Sequence, residues 1–353
     1  MGRRSVSIAG RPVGPDHPPY IVAEMSGNHN GDMGRALAIM EAAKSTGADA
    51  VKLQTYTADT ITINHDGPGF RIEGGLWHGR TLYDLYKEAH TPWEWHERLF
   101  EKGRELGITV FSSPFDPTAV DFLEKLGTPA YKIASFEIVD LPLIQKVAAT
   151  GKPVIFSTGM ASREEIGEAV TAAREAGCKD PVLLHCTSSY PAPPEDSNLR
   201  TIPHLAETFD VVTGLSDHTP GAAVPVAAVT LGASIVEKHL TLKRSDGGPD
   251  AAFSLEPDEF KDLVTSCRMA WIALGQVNYD REPSERGNVI FRRSLYVVED
   301  IAAGGVFTEK NVRSIRPSYG LPPRYLTKIL GRRAVAAYKR GTPLDLSMVV
   351  PPL

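Results

Sequence analysis

Two stretches decide the fold: VVTGLSDHT (211–219) and SIVEKHLT (234–241), short β-branched runs that each end in a polar cluster carrying a histidine. Between them, residues 221–231 read as one helix. A strand, a crossover helix and a second strand make the two strands parallel neighbours. His218 and His239 are therefore expected side by side. Two neutral imidazoles with the carboxylates Asp217 and Asp250 nearby suit a divalent first-row metal, with water or substrate oxygen in the open positions. A lone histidine is more often a hydrogen-bonded core residue. The matched strand-end positions favour ligation for this pair.

Outward from this unit, the same alternation repeats. Strands are expected over 20–26, 49–55, 109–113, 130–135, 153–158 and 181–188, and helices over 32–46, 92–106, 117–126, 141–150, 162–176, 198–208 and 257–274. Near-continuous apolar strands alternating with helices predict a parallel sheet covered on its outer face. Eight such units predict an α/β fold, a (β/α)₈ TIM barrel, with its active site at the C-terminal ends of the strands. The alternative, an open doubly wound sheet, lacks the expected GxGxxG after its first strand, and no GxxxxGK[ST] occurs. The expected organisation is a barrel over 1–280, a linker over 281–291 and a small domain over 292–353.

Composition is that of an ordinary soluble, globular chain. With 42% hydrophobic and 23% charged residues, no apolar run approaches the ~18 residues of a membrane span. The N-terminal MGRRSVSIAGRPVG has no apolar run behind its basic residues, so a cytoplasmic location is expected, with no membrane partner. Three scattered cysteines, Cys178, Cys186 and Cys267, exclude a disulfide framework or a CxxC zinc knuckle. The net charge of −5 gives no reason to expect nucleic-acid binding, but it is unevenly divided. Residues 292–353 carry 11 Lys and Arg against 4 Asp and Glu, and residues 1–291 carry 27 against 39.

The strand ends collect Glu24, Lys52, Gln54, Ser112, Ser113, Lys132, Ser135, Glu137, Ser157, Thr187, Ser188, Ser216, His218, Lys238 and His239. This reads as a cationic, hydroxyl-rich mouth able to bind phosphate and carboxylate oxygens. A Schiff-base aldolase is the competing reading of its lysines. The connection over 56–91 is too long for an ordinary barrel loop and reads as functional. Its Trp77, His78, Arg80, Tyr83 and Tyr86 suit packing over a sugar ring, with Trp77 or Tyr83 as an apolar wall.

The motifs AEMSGNHNG (23–31), ADAVKLQTYTADT (48–60), YKIASFE (131–137), STGM (157–160), GLSDHT (214–219), EKHLT (237–241) and GGPD (247–250) resemble the sialic acid synthase family. The C-terminal unit is similar to that family's antifreeze-like (SAF) domain. Within the family, GLWHGRTLYDLYKEAHTPWEWH (75–96) is most similar to the pseudaminic acid synthase branch. The resemblance implies condensation of phosphoenolpyruvate with an open-chain N-acetylated sugar to a nine-carbon 2-keto acid and phosphate. It implies a divalent metal, Mn²⁺ or alternatively Mg²⁺ or Co²⁺, on His218 and His239. It also implies phosphoenolpyruvate contacts at Lys52, Ser113, Lys132, Ser135, Ser157, Ser188 and Ser216. At Ser188 this chain reads CTSSYP, where neuraminate-type members carry asparagine. Gln54, Tyr190 and Asp250 complete the expected substrate-binding set, and Glu24, Lys132, Glu137 and Arg316 the catalytic one. Glu137 is the candidate base for water addition, with Glu24 as an alternative orienter of sugar hydroxyls. The resemblance further implies a homodimer with exchanged C-terminal domains, in which Arg316 of RSIRP (313–317) enters the partner's site. Two readings stay open beside this one: a neuraminate or legionaminate enzyme using N-acetylmannosamine or a related sugar, and a non-catalytic carbohydrate-binding protein.

Overall fold

A computed structural model describes residues 4–350; residues 1–3 and 351–353, the outer ends of the two expected domains, lie outside the described residues. All eight expected strands are present: β1 (Tyr20–Glu24), β2 (Ala50–Thr55), β3 (Thr109–Pro114), β4 (Tyr131–Ile133), β5 (Val154–Ser157), β6 (Val182–Cys186), β7 (Val212–Asp217) and β8 (Ile235–His239). Each pairs in parallel with its neighbours, and β8 returns to β1 to close the barrel. Eight helices cover the outside: α1 (Met33–Thr46), α2 (His96–Leu106), α3 (Pro117–Leu126), α4 (Leu141–Ala148), α5 (Arg163–Glu175), α6 (Thr201–Phe209), α7 (Ala223–Thr230) and α8 (Pro257–Leu274). Their ends carry local signals: Asp32, Asp116, Asp140 and Ser162 cap helix N-termini, and Gly47, Gly107 and Gly127 close C-termini in the left-handed conformation.

Side-chain alternation along the strands decides what enters the barrel. On β8, Ile235 joins the inner apolar cluster and Val236 the outer one between sheet and helices. Continuing the parity, Glu237 and His239 face inward and Lys238 outward. The inner cluster fills the N-terminal half of the barrel with Tyr20, Val22, Ala50, Phe111, Ala130, Ile155, Val182, Leu184, Val212 and Ile235. A hairpin of Val6–Ile8 with Arg11–Val13, not expected from the sequence, buries Val6, Ile8 and Val13 in the same cluster. The apolar residues thus occupy one end of the barrel, and the polar ones are left at the other.

The long connection after β2 is ordered by a short helix (Ala58–Ile61), a bridge between Arg71 and Thr81, and an amphipathic helix (Leu82–Ala89) capped by Thr81. The Trp77 indole N–H donates to the Pro249 carbonyl at 2.8 Å, tying this lid to the segment after β8.

The chain divides into two compact units after Gly275. Residues 281–291, expected as a linker, are not one: Pro283–Phe291 is a 3₁₀ helix whose Val289 and Ile290 carbonyls accept from Ser318, so it is part of the second unit. That unit pairs β9 (Ser294–Val297) with β10 (Val312–Ile315) and Arg333–Ala334 with Val349–Val350, both antiparallel. Its core includes Leu295, Val297, Phe307, Val312, Ile329 and Leu344. Arg316 is exposed directly after β10. The turn behind it is fixed: Ser294 Oγ donates to Pro317 O at 2.6 Å and accepts from Gly320 N–H at 3.0 Å. A Cβ at Gly320 would lie 2.2 Å from Leu295 O, so only glycine fits there. Among the described residues no helix is long and apolar enough to cross a membrane.

Candidate active site

The inward-facing residues one step above the apolar cluster form a buried polar layer. Lys52 Nζ lies 2.8 Å from Glu24 Oε2, 3.3 Å from Ser113 Oγ and 3.5 Å from Glu237 Oε1. Lys132 Nζ donates to Ser157 Oγ at 2.6 Å and lies 3.7 Å from Glu237 Oε1, which also accepts from Ser216 Oγ at 3.1 Å. Glu237 therefore sits between the two lysines. The sequence reading had not placed it in the site, although its parity with His239 points there.

Burial by itself would deprotonate both lysines. The Glu237 and Glu24 carboxylates outweigh that for Lys52 and hold it above its usual range; for Lys132 burial wins and its pKa falls. Glu237 is held below the usual carboxylate range against burial by Lys132 and Lys52. Burial also raises the Glu24 pKa, against the pull of Lys52. Two lysines are matched by two carboxyl groups, so the layer is formally charge-balanced rather than the cationic mouth expected.

Beside this layer Ser135 and Ser188 converge on Gly159. The Gly159 N–H donates to Ser135 Oγ at 3.2 Å, and a Cβ built on Gly159 would meet Ser188 Oγ at 2.1 Å and Ser135 Oγ at 2.7 Å. Two hydroxyls and a backbone amide in one recess make a cradle for an oxyanion.

His218 and His239 are neighbours, with ring centroids 5.4 Å apart. The Nδ1 of His218 is 3.0 Å from the Thr187 carbonyl, which can only accept, so Nδ1 carries the proton and the neutral ring has its lone pair on Nε2. Burial lowers the His218 pKa, but Cys186, the Thr187 carbonyl and Asp217 outweigh it and raise it. His239 Nδ1 is buried with no hydrogen-bond partner. Burial, with His218 and the neighbouring lysines, pushes the His239 pKa well below its usual value. A neutral imidazole with a free buried nitrogen beside one with a fixed tautomer fits a divalent ion as a pair of nitrogen ligands. Among the described residues there is no group of three or more His, Cys, Asp or Glu placed to hold a metal, so an ion held by this pair would need water or substrate for its other positions. Asp217, expected as a nearby carboxylate, faces the other side of the sheet and pairs with Lys238. Lys238 is accordingly not a mouth residue. Ser112 also faces outward, bonded to the Thr55 hydroxyl, which in turn bonds His96. Asp250 does reach the site, where it accepts from Ser26 Oγ and the Gly27 N–H.

Above the layer lies a cavity of about 500 Å³ between strand ends and lid. Ser26, Gln54, Glu137, Tyr190, His239 and Asp250 supply its polar lining, and Ile61, Ile72, Trp77, Leu82 and Phe136 are among its apolar walls. Gln54 donates to Glu24 Oε1 and Ser26 Oγ, both at 2.9 Å. Tyr190 packs on His218 at 4.5 Å and on Trp77 at 5.5 Å, and Phe253 on His239 at 4.9 Å, so the lid tryptophan abuts the rings around the histidine pair. Tyr83, the other candidate wall, lies outside the cavity and donates to Asp59. His78 and Arg80 also serve the lid itself, bonding Gly74 and Glu88. Glu137 Oε2 is buried without a hydrogen-bond partner, and burial pushes the Glu137 pKa up to about 7.

Comparison with known proteins agrees with this geometry. The NeuB family model matches residues 39–279 and the SAF domain model residues 292–350. The pseudaminic acid synthase of Helicobacter pylori is 46% identical over 93% of this chain and 97% of its own. The N,N'-diacetyllegionaminic acid synthase of Legionella pneumophila is 36% identical over 95% of each. Among solved structures, the N-acetylneuraminic acid synthetase of Leptospira borgpetersenii in complex with citrate superposes with a TM-score of 0.72 at 32% identity, covering 81% of this chain and 95% of that one. With one family model spanning most of the barrel and the other the C-terminal unit, the chain belongs to the NeuB family.

Proposed function

We propose that this chain condenses phosphoenolpyruvate with 2,4-diacetamido-2,4,6-trideoxy-L-altrose, forming pseudaminic acid and releasing phosphate. The 46% identity to pseudaminic acid synthases across nearly the whole chain supports this choice over the legionaminate and neuraminate enzymes. The observation that carries it is the cavity itself, a polar floor beneath an apolar wall. Lys52, Lys132, Ser113, Ser157 and Ser216 suit the phosphate and carboxylate of phosphoenolpyruvate, and the Ser135–Ser188–Gly159 cradle takes oxyanion oxygens. Gln54, Tyr190, Asp250 and Glu24 face the sugar hydroxyls and amides. Ile61, Ile72, Trp77 and Leu82 offer the 6-methyl an apolar contact, which a hydroxymethyl group would fill less favourably.

In the reaction, C3 of phosphoenolpyruvate bonds to the sugar aldehyde carbon, whose oxygen takes a proton; water adds at C2, and the C2–O bond to phosphate then breaks to leave the 2-keto group and inorganic phosphate, the two protons lost by the water ending on the new hydroxyl and on phosphate. His218 and His239 would hold a divalent ion, Mn²⁺ in our reading, whose chemistry there is Lewis-acid polarisation of the aldehyde. Glu137, half in each protonation state near neutrality, takes the proton of the attacking water. The charge-balanced floor leaves the anionic substrate to be offset by added positive charge, which supports both the metal and an arginine. We assign that arginine to Arg316 of a second subunit, in a homodimer with exchanged C-terminal domains. The opposite net charges of residues 292–353 and 1–291 favour such docking. A cytoplasmic location belongs to the same reading, since phosphoenolpyruvate is an intracellular metabolite. The deciding experiment is phosphate release from phosphoenolpyruvate with each sugar. Turnover of N-acetylmannosamine equal to that of the diacetamido sugar would refute the assignment.

A further inference from the structure

We propose that Lys238 and Asp217 are positioning residues, a buried ion pair on the outer face of the barrel that sets the spacing and direction of His218 and His239. The inference rests on the histidine pair acting as one unit in the proposed function.

The two residues immediately precede the two histidines, and they are Cα partners across β7 and β8. Strand alternation puts the pair on one side of the sheet and the imidazoles on the other. Lys238 is 0% exposed and Asp217 3%. Lys238 Nζ donates both to Asp217 Oδ2 and to the Thr219 carbonyl. Asp217 Oδ1 accepts from the Thr219 N–H at 3.2 Å and from Thr219 Oγ1 at 2.9 Å. The carboxylate therefore reaches around the backbone of His218, and one ammonium holds both the carboxylate and the carbonyl beyond it. His218 has left the strand ladder, so these bonds fix its exit, and the same bonds anchor Lys238, the residue before His239.

Stability alone is a poor reason for such a pair. Desolvation of two charges offsets their attraction, and an apolar or neutral replacement is often no less stable. What a neutral replacement loses is the directed link between the strands. Residues behind a ligand commonly change affinity or activity by about 10- to 100-fold on replacement.

The test uses the full chain with ¹⁵N-labelled histidine, the two site resonances being assigned with His218→Gln and His239→Gln. Lys238→Met and Asp217→Asn are expected to move the ring resonances of His218 and His239 while leaving the other eight histidines in place. kcat/KM should fall about 10- to 100-fold, with KM for phosphoenolpyruvate within about twofold because the lysine–serine floor is untouched. The double Lys238→Met/Asp217→Asn variant removes both charges together. It should keep the wild-type Tm yet retain the displaced resonances. A double variant with wild-type Tm and unmoved histidine signals overturns the proposal. So do single variants that lose Tm without moving them. The resonance readout needs no metal, so a wild-type chain that took up no Mn²⁺ would remove the metal assignment and leave this test decisive.

Discussion

Replacing Gly159 with alanine tests the oxyanion cradle with one methyl group. Gly159 does not need left-handed backbone, so the change introduces no strain of that kind; its effect is the space the methyl occupies. The new Cβ would stand 2.1 Å from Ser188 Oγ and 2.7 Å from Ser135 Oγ, well inside contact distance, and both hydroxyls must rotate or retreat. A hydrogen bond to a charged group contributes about 1.5–3 kcal/mol. At about 1.4 kcal/mol per tenfold, losing one such bond raises KM for phosphoenolpyruvate about 10- to 150-fold. The assay is steady-state phosphate release with the sugar saturating, alongside a thermal melt to establish that the barrel is intact. Gly159→Ala/Ser188→Ala serves as control. It removes the nearest clash and restores Tm, but it cannot restore the bond. A folded Gly159→Ala enzyme with an unchanged KM for phosphoenolpyruvate would refute the cradle.

Alanine at His218 or His239 should abolish divalent-ion-dependent phosphate release without unfolding the chain, and full activity after EDTA treatment would contradict this. Glu137 should give kcat/KM an acidic limb, with activity rising as pH increases through about 7 and the base form appears; Glu137→Gln should lose the limb with the activity. The same shift has a stability sign. A carboxyl raised from 4.5 to about 7 binds its proton more tightly in the folded state, so its contribution is fully present below pH 4.5 and is lost as pH rises through 7. Lys132, Lys52 and Asp140 are the charged groups acting on it, with Tyr86 nearby, and a melt series in which Glu137→Gln failed to flatten that window would count against the assignment. Arg316→Ala should sharply reduce turnover, and subunits mixed with His218→Ala chains should recover activity in heterodimers with one intact composite site. No recovery under exchange conditions would refute the exchanged dimer.

The barrel was legible because each strand–helix unit carries its own punctuation, from Asp32 and Gly47 around the first helix to Ser162 at the fifth. The site was legible less evenly. Reading the strand ends as a set puts Lys238 in the mouth, whereas counting by twos from His239 sends Lys238 outward and brings Glu237 in. Gly159 lies within the STGM motif, but its role is not legible there, since it is the absence of a side chain between two hydroxyls that lie far apart in sequence. The hairpin of Val6–Ile8 and Arg11–Val13 was missed for a related reason: its strands are three residues each, and their stability comes from the barrel interior they fill. The lid helix (Leu82–Ala89) carries a Thr81 cap that is legible in the sequence, but it is a single eight-residue element inside a long connection without a repeating pattern.

The carboxylates beside Lys52 and Lys132 also bear on product departure. A floor of bare cations would hold any polyanion and would release inorganic phosphate slowly. Glu24 and Glu237 act instead as built-in counter-ions, against which every incoming anion must compete. That competition weakens substrate capture, but it weakens retention of phosphate too. In the proposed reaction the ammonium groups would re-pair with these carboxylates as phosphate leaves, which spares the vacated charge from waiting for water.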